Sequence, residues 1–156
     1  MKDEKIKEAV KLQFEMVHLF HKNFAKIFHQ TRNNPYNLNK NQKKAIMLIG
    51  TIGSIMPTTL GKCLDLQKGS LTSMIDALEK EELVYRKGDP EDRRKVLISL
   101  TEKGKAYREW FKGEIEKNTS EIFQILDEED IITYQEDLQS MVNILKKLDD
   151  LRERKN

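Results

Sequence analysis

Arg93, Arg94 and Lys95 stand in succession between an Asp-Pro turn and an alternating apolar run, Asp89-Pro90-Glu91-Asp92-Arg93-Arg94-Lys95-Val96-Leu97-Ile98-Ser99-Leu100. Cations on a protruding hairpin tip meet a phosphate backbone or a minor groove. Arg94 is the first choice for a groove, because a guanidinium is drawn to the focused negative potential of narrow A·T-rich stretches. Asp92, two residues before it, would hold it extended. Arg93 and Lys95 fit phosphates. Arg86, nearer the hairpin base, fits either a DNA contact or a tie within the chain. A second face lies upstream, on a short amphipathic helix over about 67–82. Its apolar side is set by Leu71, Ile75 and Leu78, with Met74 flanking them. The opposite side carries Lys68, Ser70, Ser73 and Ala77, with Thr72 at its edge. Small hydroxyls let a helix approach base edges but discriminate poorly, so Gln67 and Lys68, at the helix start, are the better base readers.

The elements that must hold these residues follow from spacing. Strands are expected at about 84–88 and 95–100, so the wing covers about 84–100. Thr101 should cap the helix that follows. Helix, strand, basic tip, strand is a winged helix-turn-helix, here a lobe over 38–100. Within it Asn39 and Gln42 have capping-box spacing and open a helix carrying Ala45, Ile46, Leu48 and Ile49. Pro57 suits the first turn of a short helix with Leu60, Cys63 and Leu64, and Asp65-Leu66 makes the turn. Cys63, beside two leucines, reads as inert core.

Long helices flank the lobe, over 5–30 and 102–150. The first repeats Ile6, Val10, Val17, Phe20, Phe24 and Ile27 at steps of three and four, with Gln13 as the one polar intrusion in the seam, and Asn33-Asn34-Pro35 ends it. The last shows a heptad, Ile131, Tyr134, Leu138, Met141, Leu145 and Leu148, behind an acidic restart at Asp127-Glu128-Glu129-Asp130. The central motif is too short to bury these seams. A second copy, interleaving its terminal helices about a two-fold axis, is the economical cover, with an intramolecular bundle as the alternative. The expected class is therefore mainly α (α+β), one winged lobe with terminal homodimerisation helices.

Bulk numbers fit. At 156 residues the chain makes one domain with helical extensions, and a 35% charged fraction suits interlocking helices better than a compact monomer. The net charge of +2 supports no global attraction to nucleic acid. Its distribution does: Val84 to Lys105 carries seven cations and four acids, while Glu121 to Asp150 carries nine acids and two lysines. One cysteine excludes an internal disulfide and suits a reducing compartment. With no apolar leader and no run of membrane-spanning length, a cytoplasmic protein without membrane contact is expected. His18, His21 and His29 all lie on one expected helix without a second ligating segment, so no metal or other cofactor is expected. No Gly-rich phosphate loop, acid–base cluster or nucleophile paired with histidine appears, which argues against an enzyme.

The residues from Leu60 to Gly104 resemble the multiple-antibiotic-resistance regulator (MarR) family of bacterial transcription factors. The resemblance rests on Ser70-Leu71-Thr72-Ser73-Met74-Ile75-Asp76-Ala77-Leu78-Glu79, on Leu83-Val84-Tyr85-Arg86, and on Asp92, Arg94 and Leu100-Thr101-Glu102-Lys103-Gly104 in that order. It implies a homodimer that sets one recognition helix per subunit into successive major grooves of a palindromic operator, with wings in adjacent minor grooves. A sequence-specific regulator of double-stranded DNA is expected, a repressor relieved by a small aromatic or amphipathic effector. The family's pocket would fall at Val17, Phe20, Phe24 and Phe28, Ile46 and Met47, and Trp110 and Phe111. Three positions depart from the family: Glu82 stands where glycine is usual, Ser73 where arginine is frequent, and Gln67 where Ser or Thr caps the helix. The first implies a helix end without a left-handed glycine. The competing reading is a winged helix that binds an acidic protein and no DNA.

Overall fold

The computed structural model describes residues 1–25 and 34–154. Ile27, Phe28, His29 and Asn33 lie outside the described residues. The order is α1 (Lys2–Phe24), α2 (Lys40–Ile52), β1 (Ser54–Ile55), α3 (Pro57–Leu64), α4 (Lys68–Lys80), β2 (Val84–Gly88), β3 (Val96–Leu100), α5 (Glu102–Phe123) and α6 (Glu128–Glu153). The chain divides into two compact units, Met1–Asn118 and Thr119–Asn156.

In the first unit, α2 opens with the expected capping box. The Gln42 backbone N–H donates to Asn39 Oδ1 at 3.0 Å, and the Asn39 N–H donates to Gln42 Oε1 at 2.8 Å. Gly53, at φ +91, takes the left-handed step that ends this helix. The chain then forms β1, a strand of two residues that periodicity is too short to reveal. It pairs antiparallel with β3 (Ser54 with Ser99, Ile55 with Ile98), which gives a three-stranded sheet in the order β1-β3-β2. Pro57 sits in the first turn of α3, where its missing N–H costs no hydrogen bond.

Asp65 is left-handed at φ 52, and the Leu66 N–H reaches back to the Gly61 carbonyl at 2.9 Å, closing the helix-turn-helix corner. Cys63 is exposed, contrary to expectation. The burial arc of α3 runs through Leu60, Gly61 and Leu64, and Cys63 projects to the other side of Leu60.

The end of α4 lacks the glycine, as expected, yet keeps the left-handed step. Glu82 itself adopts the left-handed conformation, at φ 58. The Leu83 N–H donates to the Leu78 carbonyl at 3.0 Å and the Glu82 N–H to that of Glu79 at 2.9 Å, a Schellman motif with glutamate where glycine is favoured. The buried pair Leu78 and Leu83 supplies the apolar contact that holds it.

Leu71, Met74, Ile75 and Leu78 of α4 pack with Ala45, Ile46 and Ile49, with Leu60, and with Val84, Ile98 and Leu100 of the sheet. Tyr107 and Phe111 extend this core along α5. Thr101 joins the wing to α5 in two ways. Its Oγ1 accepts from the Gly104 N–H at 2.9 Å, as an N-cap, and donates to the Glu82 carbonyl at 2.6 Å. Gly104 is required there, because a Cβ would stand 1.9 Å from the Leu83 carbonyl oxygen.

In α1 every side chain from Lys2 to Asn23 is exposed or half-buried, and Ile6 (51%) and Val10 (43%) stay largely in water. In the second unit, Asp127 caps α6 by accepting from the Asp130 N–H at 2.8 Å. Ile131, Tyr134, Leu138, Met141, Leu145 and Leu148 are all exposed along that helix. Phe123, Ile131, Tyr134, Leu138 and Val142 line an open apolar groove at its start.

Candidate nucleic-acid interface

The wing tip is built by acids and displays cations. Asp89 Oδ1 accepts from the Glu91 N–H at 2.8 Å, so the turn after β2 is an Asx-type turn around Pro90. The Asp89 N–H donates to the Lys95 carbonyl at 3.0 Å, and the Lys95 N–H to that of Asp92 at 2.9 Å, which closes the hairpin. Asp92 Oδ1 then accepts twice from Arg94, from its backbone N–H at 3.1 Å and its Nε at 3.3 Å. Lys95 Nζ lies 3.9 Å from the other carboxylate oxygen. The Asp92 side chain is only 29% exposed and that of Arg94 is 91% exposed. The carboxylate therefore belongs to the hairpin, and the guanidinium keeps its outer nitrogens in solvent. Arg93 is exposed beside it.

The recognition-helix face is equally open. Gln67, Lys68, Ser70, Thr72 and Ser73 are exposed, and Ala77 is half-buried where α4 turns toward the core. Gln67 is the N-cap residue but makes no side-chain cap bond, so the first N–H groups of α4 carry no side-chain acceptor from it. The Thr72 hydroxyl donates to the Lys68 carbonyl at 2.9 Å and keeps its lone pairs for a donor outside.

Arg86 is engaged within the chain, which supports the reading of it as a tie. Its guanidinium binds both Asp76 and Glu79, one turn apart on α4, and its backbone N–H donates to Glu79 Oε1 at 3.2 Å. The hydrogen bond to Asp76, ahead of the charges of Glu79 and Asp76, holds the guanidinium above its ordinary pKa, while burial acts the other way. Asp76 and Glu79 were missed in the sequence, where their i, i+3 spacing on a helix just before an arginine-bearing strand was the available signal.

The residues of the family pocket are not equivalent. Ile46 and Phe111 are fully buried and serve as core. Met47 and Trp110 pack half-buried against them, Trp110 at 5.4 Å between ring centroids from Tyr107. Val17 and Phe20 are exposed on α1, with Phe24 stacked on Phe20 at 5.1 Å. Phe28 lies outside the described residues. Among the described residues no group of three or more His, Cys, Asp or Glu is placed to hold a metal ion, and no helix is long and apolar enough to cross a membrane.

Comparison with known proteins agrees with this geometry. The model of the MarR family matches residues 38–96, the lobe from α2 to the start of β3. The HTH-type transcriptional regulator YcgE of Bacillus subtilis is 31% identical over 106 residues, which cover 67% of this chain and 68% of that protein. Among solved structures, wild-type MarR from E. coli in its apo form superposes with a TM-score of 0.68 at 25% identity, covering 81% of this chain and 93% of that one. A cysteine-to-serine mutant of the same E. coli protein, complexed with operator DNA, superposes with a TM-score of 0.61 at 25% identity over 86% of this chain and 95% of that one. With the winged lobe matched by the family model and the relative matched over two thirds of its length, the chain belongs to the MarR family of winged-helix transcriptional regulators.

Proposed function

We propose that this chain is a homodimeric repressor that binds a palindromic operator in double-stranded DNA and is released by a small aromatic or amphipathic effector. The observation that carries the DNA reading is the wing tip, where a half-buried carboxylate holds Arg94 outward beside Arg93 and Lys95. Arg94 enters a narrow minor groove, and Arg93 and Lys95 neutralise phosphates. Gln67 and Lys68 reach base edges from the start of α4. Ser70, Thr72 and Ser73 hydrogen-bond bases or phosphates, and Ala77 permits close approach. The exposed seams of α1 (Ile6, Val10) and α6 (Ile131, Tyr134, Leu138, Met141, Leu145, Leu148) support a second copy as partner. These side chains are 36–52% exposed, so a partner that buried them fully would recover about half of the roughly 1.5–3 kcal/mol that complete burial of such a side chain brings. The effector enters among Val17, Phe20 and Phe24 with Met47 and Trp110, the pocket candidates with surface to offer.

The test is binding to a pool of random duplexes at two salt concentrations, followed by sequencing of the retained DNA. A repressor of this kind binds at low salt, weakens steeply as salt rises, and enriches a palindrome with half-sites about one helical turn, ~34–36 Å, apart. A wing that serves an acidic protein shows little affinity for any duplex, and that result would overturn the proposal.

A further inference from the structure

We propose that Arg86 is a positioning residue. It fixes the angle between α4 and the wing hairpin, and thereby sets discrimination between DNA sequences without touching DNA. This rests on the DNA-binding reading above. Arg86 lies on β2 opposite Ile98 of β3, two residues before the hairpin leaves the sheet at Gly88. It grips α4 at two successive turns, through Asp76 and Glu79, and adds a backbone bond to Glu79. Any tilt of the hairpin against α4 has to break this three-point attachment. Pro90, at the tip, is four steps along the chain from Arg86, roughly 13 Å at about 3.3 Å per residue. A tilt of roughly ten degrees therefore moves the tip by about 2 Å, more than a hydrogen bond tolerates.

Stability is a weak explanation for this device. The three side chains are 33%, 59% and 38% exposed, and ion pairs that open to solvent contribute little to folding. Geometry is the better one. A planar fork matches two carboxylates at once, as a lysine ammonium does not. Asp76 and Glu79 also stand on the helix that faces a polyanion, so their presence there calls for a reason beyond solvation.

Pure charge masking is the competing role, and it predicts the opposite result in one variant. Asp76→Asn with Glu79→Gln removes two negative charges and the fork together. If Arg86 only masks charge, the variant binds random and selected duplexes more tightly by the same factor, and specificity stays. If Arg86 positions, affinity for random duplex rises while the ratio of selected-to-random affinity falls about tenfold. Arg86→Gln should lower the same ratio about tenfold with little change in urea midpoint, and Arg86→Lys should restore only part of it. The experiment measures both affinities at matched salt for the wild-type full-length chain and the three variants. A ratio kept within about twofold in both Arg86→Gln and the double variant, with wild type specific, overturns the positioning role alone. A wild-type chain with no preference for any selected duplex overturns the DNA reading and this role with it.

Discussion

Glu82 shows how one residue can keep a backbone geometry for which its type is poorly suited. A left-handed glutamate carries roughly 1–2 kcal/mol of strain that glycine lacks, while glycine loses about 0.5–1 kcal/mol more chain entropy on folding. Glu82→Gly should therefore stabilise the fold by about 0.5 kcal/mol, read as a higher urea midpoint at unchanged slope. A lower midpoint would mean that the exposed contact of Lys103 with Glu82, at 3.4 Å, outweighs the strain. Tyr107 gives a second expectation. Its hydroxyl donates to Asn34 Oδ1 at 3.2 Å, and burial pushes it from 10.0 up to about 12. The unfolded phenol then ionises first, so the folded state holds more protons between those values. The stabilisation is complete below pH 10 and is lost as pH rises toward about 12. Urea titrations across that window should show a shallower fall for Tyr107→Phe than for the native chain; identical falls would remove Tyr107 from the alkaline response. Neither behaviour was legible in the sequence. The left-handed site depends on where the apolar pair Leu78 and Leu83 closes the helix, and the phenol's burial depends on packing between distant segments.

The elements themselves were more readable, wherever a local rule governs them. The Asn39 and Gln42 capping box, Thr101 as a cap and Pro57 in a first turn arise from contacts a few residues apart, and the two wing strands from one hairpin; all stand where spacing put them. The strand β1 exists only because β3 offers it an edge, so two residues carry no periodic signal of their own. Cys63 looked apolar by its neighbours, but an eight-residue helix packed on one side buries only a narrow arc. At the wing, the two arginines should separate in measurement. If Arg93 neutralises a phosphate as proposed, Arg93→Ala should reduce the salt slope of binding by about one while leaving sequence preference unchanged. Arg94→Ala should also relax the preference for A·T-rich flanks of the operator. Equal loss of preference in both variants would mean that Asp92 does not give Arg94 a distinct role.

For the molecule as a whole, the winged lobe has a full core and the terminal helices do not. The apolar seam of α6 is exposed along its length, and so are Ile6, Val10, Val17 and Phe20 of α1. The acids concentrated between Glu121 and Asp150 would repel a polyanion, and the cations of the wing would attract one. The apolar seam was legible in the sequence from its spacing, but the seam alone does not name what covers it. The most direct measurement is the mass of the protein by sedimentation equilibrium, alone and with a duplex bearing one selected site, for the native chain and for Leu138→Lys combined with Leu145→Lys. Two native chains are expected in solution and two on each duplex, and a folded monomer without specific binding for the variant. A native chain that sediments as a monomer yet holds the duplex one to one would contradict the proposed pairing.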